Sequence, residues 1–173
     1  MSKLDPSIIF DEANDFLIAS DIIIKNAVPY GLRETLGTLS RSMGLTHVAY
    51  MNHALSFELY LKCLLVLCNK IPSKTHSLPS LFRNIPEKIK IKISLHFDQK
   101  YRYNTFYRDK NGWPKQDSFE VYLKEIVNPF ERFRYMYEIE SNFPMYQLKE
   151  AISSVRETIL ELRPDFIKSV HIE

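Results

Sequence analysis

Three groups of residues in this chain could carry chemistry. In "FELYLKCLLVLCNK", residues 57–70, Glu58 and Lys62 stand alone as acid and base between Phe57 and Cys68. At i and i+4 they fall about 40° apart on a helical wheel, within reach of one another. "FRYMYE" repeats the spacing with Arg134 and Glu138, again among aromatic residues, and His76 follows the first run in "KTHSL". An imidazole titrating near neutral pH serves as general acid or base, and a guanidinium stabilises charge building on a phosphorus centre. Gathered in one place, Glu58, Lys62, His76, Arg134 and Glu138 would compensate each other's charge, as a desolvated helix face requires. The simpler use of the same residues is a surface salt bridge, with His76 in a structural turn bonding backbone or Glu58.

A second pair, Arg41 and His47 in "RSMGLTH", is a weaker catalytic candidate. Such a spacing arises about once by chance in a chain with this many arginines and histidines. His53 and His96 read as ordinary bundle residues. No combination of histidines and acids has metal-ligand spacing, so neither a metal nor another cofactor is expected.

The third group is "KYRYNTFYRDKNGWPK", residues 100–115, which interleaves cations with rings. Lys100, Arg102, Arg108 and Lys110 would neutralise phosphates, while Tyr103, Tyr107 and Trp113 would stack on unpaired bases, together suiting single-stranded RNA. The same rings can instead pack on the body of the protein with their cationic neighbours in water. An acidic protein partner fits the patch as well. Between Arg83 and Lys115 there are nine basic and three acidic residues, a net +6 that leaves −4 for the rest of a chain whose formal charge is +2.

The elements that must position these residues read as helices. A chain of 173 residues with 45% hydrophobic and 25% charged residues fits one soluble domain. Helix 6–26 starts at Pro6 with Asp5 as cap. "VPYGLRETLGTLSRSMG" reads as a loop or a short broken helix. The core helix is expected from about Thr46 to Asn69, and a turn with a short helix follows around Pro79 and Pro86. "PEKIKIKISLHF" alternates as a strand would, but Pro86 followed by Glu87 favours a helix start, with Ile85, Ile89, Ile93 and His96 as one stripe. Residues 100–116 form the least regular stretch, and a helix resumes at Asp117, capped with Glu120 and interrupted at Pro129. In helix 144–163, Met145, Leu148, Ile152, Val155, Ile159 and Leu162 form a narrow seam for packing within the chain or across a dimer.

The two cysteines, Cys63 and Cys68, sit on diverging helix directions, which predicts buried reduced thiols and a cytosolic (cytoplasmic) setting. The acids in the first fifteen residues disfavour a secretory signal. No uncharged stretch approaches the ~18 residues of a membrane span, so no membrane partner is expected.

Taken together, "HALSFELYLKCLLVL", "KTHSLPSLF" and "FERFRYMYE" resemble the HEPN (higher eukaryotes and prokaryotes nucleotide-binding) superfamily over residues 47–140. The resemblance implies a single all-α domain over residues 1–173, an up-and-down bundle of about five to six helices that commonly forms a homodimer. It also implies RNA or nucleotide binding, with metal-independent RNA cleavage in catalytic members of toxin–antitoxin and phage-defence systems. The alternative it implies is a noncatalytic dimerising regulatory module, with a protein partner such as a cognate antitoxin. Catalytic members carry an Arg and a His separated by about four to six intervening residues, typically on a late helix. Here Arg132 and Arg134 have no histidine in that window. His76 recruited in space beside Arg134 is the replacement this chain offers.

Overall fold

The computed structural model describes residues 4–31, 36–109, 118–126 and 147–170. Among them are six α-helices, no strand and a closing 3-10 turn: α1 Pro6–Gly31, α2 Leu36–Leu67, α3 Leu78–Arg83, α4 Glu87–Asp109, α5 Phe119–Glu125, α6 Leu148–Leu162 and the turn Pro164–Val170. The expected all-α bundle is therefore the fold. No helix among the described residues is long and apolar enough to cross a membrane.

α1 and α2 form an antiparallel hairpin whose register is set by small side chains. The Cys63 thiol donates to the Pro6 carbonyl at 3.3 Å, Ser56 Oγ to the Ala13 carbonyl at 2.8 Å, and Ser20 Oγ to the Ala49 carbonyl at 2.7 Å. Each contact lies seven residues further along α1 and seven back along α2, the repeat that keeps one face of each helix on the other. Ala13, Ala49, Ser20 and Ser56 have no exposed surface, so the two backbones approach closely. Burial also pushes the Cys63 thiol up to about 12, which leaves it inert.

Asp5 caps α1 as expected, accepting from the Ser7 amide at 2.9 Å. The glycine-containing stretch departs from expectation: α1 runs on to Gly31 and α2 already begins at Leu36, ahead of Thr46. A glycine inside a helix costs about 1 kcal/mol, which tertiary contact along a helix of this length can offset. A side chain at Gly44 would meet nothing within 4 Å, so that position is not required by packing. At the other end Asn69, with φ 56°, adopts the left-handed conformation that closes α2, and the Lys70 amide returns to the Leu65 carbonyl at 2.9 Å.

The ambiguous isoleucine run is helical, and α4 begins directly after Pro86. Ile93 and Phe97 are buried while Ile91 and Leu95 are more than half exposed, the asymmetry of a helix and not of a strand. α4 continues to Asp109, so the stretch expected to be irregular is regular for half its length. Ser118, one residue after the expected Asp117, caps α5 by accepting from the Val121 amide at 3.4 Å. Phe119 on α5 ties the bundle together, with ring centroids 5.1 Å from Phe82, 5.3 Å from Phe97 and 6.2 Å from Phe57.

The α6 seam is internal. Among its described residues Leu148, Ile152, Val155 and Ile159 are buried against α2 and α4, and Leu162 at the helix end is exposed, while Met145 lies outside the described residues. Phe166 in the closing turn packs on Phe10 at 5.1 Å and completes that side of the core.

Candidate functional site

Glu58 answers to two partners. Its carboxylate, on a side chain 3% exposed, takes Lys62 Nζ at 2.6 Å and His76 Nδ1 at 3.0 and 3.1 Å. The loop after Asn69 folds back over α2 to deliver His76, and Thr75 Oγ1 steadies it by accepting from the Ser77 amide at 3.1 Å. Three of the five residues expected to cluster thus meet. Arg134 and Glu138 lie outside the described residues.

This geometry constrains the histidine. An ionised carboxylate only accepts hydrogen bonds, so its pairing with Nδ1 favours the neutral tautomer whose ring hydrogen is on Nδ1 and whose lone pair is on Nε2. A carboxylate that orients an imidazole through Nδ1 prepares it to accept a proton at Nε2, the logic shared by hydrolytic triads. The ring is half exposed, so it stands at the surface above a buried acid.

Arg41 and His47 both fall on α2, where six helical steps set their positions about 120° apart around the axis. Of the basic aromatic segment, Lys100 is engaged with Glu157 on α6. Arg102, Tyr103, Tyr107 and Arg108 ride on the last two turns of α4, and Lys110 and Trp113 lie outside the described residues. Lys100 is one rung of a ladder between α4 and α6. Lys92 meets Glu161 at 2.8 Å, and His96 meets Glu161 at 2.9 Å and Glu157 at 3.6 Å. The bond from Lys92, with help from His96, holds the Glu161 carboxyl below its usual range. Part of the positive charge on α4 is therefore neutralised by acids of α6 at a partly exposed helix interface.

Cations that are not neutralised collect elsewhere. A groove between α3, α4 and α5 is lined by Pro79, Phe82, Arg83, Lys90, Glu120, Leu123 and Lys124. Lys90 lies 5.6 Å above the Phe82 ring and 3.5 Å from Glu87. Among the described residues Arg83 and Lys124 have no acid partner. His76 stands just before α3 and Arg83 closes it, so a helix of six residues, about 9 Å long, links the imidazole to the groove.

A second polar centre, not expected from the sequence, lies between α1, α2 and α6. His53 has no exposed surface, and neither ring nitrogen has a hydrogen-bond partner. Its Nε2 lies 3.6 Å from Asp21, which binds Lys149 at 2.6 Å. Burial first, then the Lys149 charge, pushes the imidazole down to about 4. One heptad away, buried Asn14 accepts from both Tyr60 at 2.7 Å and Arg156 Nε at 3.0 Å. The readable signal was a polar residue at the same spacing in both helices, Asn14 and Asp21 against Lys149 and Arg156. Among the described residues no group of three or more His, Cys, Asp or Glu side chains could hold a metal ion.

No protein-family model, no curated protein and no solved structure matches this chain.

Proposed function

We propose that this chain is a divergent HEPN-like domain that binds single-stranded RNA or a nucleotide across the face carrying α3, and that His76 acts there as acid or base in metal-independent cleavage. The observation carrying this reading is the groove beside α3, where Arg83 and Lys124, with no acid partner among the described residues, stand beside Pro79, Phe82 and Leu123. Cations beside apolar and aromatic side chains suit phosphates and bases of an unpaired strand. In the cleavage step, His76 Nε2 takes the proton of a ribose 2′-hydroxyl as that oxygen attacks the adjacent phosphorus. The P–O5′ bond breaks and the 5′-oxygen takes a proton from solvent water, leaving a 2′,3′-cyclic phosphate and a 5′-hydroxyl, while the imidazolium returns its proton to solvent. The buried Glu58 supports the imidazolium that forms.

The test is fluorescence anisotropy with a labelled single-stranded RNA in EDTA, over a series of salt concentrations. Arg83→Ala/Lys124→Ala is expected to weaken binding about tenfold and flatten its salt dependence. The same samples report cleavage by their cyclic-phosphate ends, which His76→Ala should abolish. Equal affinity of the wild type and the double variant would overturn the reading.

A noncatalytic dimerising module is the second reading. The α6 seam is used within the chain, and what favours this reading is the exposed pair Ile91 and Leu95 on α4. Sedimentation of wild type against Ile91→Lys/Leu95→Lys distinguishes a dimer built there from a monomer.

A further inference from the structure

We propose that the groove between α1 and α6 is a binding site for a small organic oxyanion, anchored on the guanidinium of Arg156. The groove is lined by Asn14, Leu17, Ile18 and Asp21 from α1 and by Lys149, Ile152, Ser153 and Arg156 from α6. Asn14 is 5% exposed, and both ends of its amide are engaged. Its Nδ2 donates to the Phe10 carbonyl at 3.0 Å, while Oδ1 accepts from Tyr60 at 2.7 Å and from Arg156 Nε at 3.0 Å. The guanidinium also lies 5.9 Å from the centre of the Phe10 ring.

Such a clamp fixes the fork without neutralising it. An aspartate at position 14 could hold Nε as well and would cancel the charge; asparagine orients the cation and leaves it positive. With Nε occupied, the edge formed by the two terminal nitrogens remains for a bidentate partner, and no carboxylate among the described residues takes it. The single acid in the groove, Asp21, is bound by Lys149 at 2.6 Å. Leu17, Ile18 and Ile152 supply an apolar wall beside the fork. A fixed guanidinium next to aliphatic surface fits a carboxylate or phosphate ester with a short apolar body. The site uses none of the residues of the α3 groove, so it stands whether or not RNA binds there.

The experiment titrates the intact protein with hexanoate, hexyl phosphate and hexanol at millimolar concentration, reading the arginine side-chain Nε–H signals by NMR and the thermal midpoint. Saturable shifts with an anion and none with hexanol are expected, and the tighter of the two anions identifies the ligand class. Arg156→Gln should weaken that binding at least about tenfold. Ser153→Glu places a competing carboxylate one helical turn from the fork and should do the same without removing the Asn14 contact, which preserves the test if the first variant fails to fold. Absence of any response to both anions, an equal response to hexanol, or undiminished binding by folded Ser153→Glu protein would overturn the proposal.

Discussion

His76 Nδ1 lies within 3.1 Å of both oxygens of Glu58, although eighteen residues and the end of α2 separate them. The pairing explains why an acid and a base interrupt the apolar run in the second half of α2. A buried carboxylate needs donors, and α2 supplies one four residues on, while the returning loop supplies the other. Removing one donor should cost more than removing the acid together with that donor. Lys62→Met is expected to lower stability by roughly 2 kcal/mol, because Glu58 keeps its charge with a partner lost. Glu58→Gln/Lys62→Met should recover part of that loss in urea denaturation. His76→Ala, at a half-exposed ring, should cost under about 1 kcal/mol, so its effect on RNA cleavage can be read in folded protein.

His53 makes stability depend on pH. Its folded-state value of about 4 lies below the ordinary 6.5, so between these values the unfolded chain binds a proton that the folded chain excludes. Its contribution is therefore complete above pH 6.5 and is lost as the pH falls toward 4, by roughly 3 kcal/mol in all. Lys149 on α6 opposes the proton and Asp21 on α1 favours it, and each effect is smaller than that of burial. His53→Leu removes two unpartnered nitrogens at similar volume. Denaturation midpoints at pH 7 and pH 5 should differ clearly less in the variant than in the wild type.

The heptad ladder of small residues sets the third expectation. Ala13→Leu puts a branched side chain where the Ala13 carbonyl meets Ser56 and where no surface is exposed, and overpacking of this kind costs about 1–3 kcal/mol. Phe119→Ala tests the other half of the bundle. It removes a ring that touches three helices, with an expected loss of about 4 kcal/mol by chemical denaturation.

These features differ in how far the sequence shows them. The Glu58–Lys62 spacing, the proline start of α4 and the α6 seam are local periodicities, and local periodicity survives translation into three dimensions. The extent of α1 and α2 was hidden because glycine propensity is local while the packing that overrides it is not. The Pro6, Ala13, Ser20 series against Ala49, Ser56, Cys63 was present in the residues, but small side chains carry little hydrophobic signal. His53 gave no warning, since burial of one ring depends on which helix covers it. Net charge misled in a specific way. Counting cations from Arg83 to Lys115 treats them as free, whereas Lys92, His96 and Lys100 face Glu157 and Glu161 across a helix interface that only the fold creates.

That ladder yields the last prediction, which separates stability from binding. Its rungs are partly exposed, so Glu157→Gln/Glu161→Gln should change stability by no more than about 1 kcal/mol. It would, however, release Lys92 and Lys100 along the face of α4. If RNA tracks the positive segment as well as the α3 groove, affinity should rise and the salt dependence should steepen, by about 0.7 in log–log slope for each phosphate newly contacted. An unchanged slope in the folded double variant would confine the nucleic acid to the side of the bundle bearing Arg83 and Lys124, away from α6.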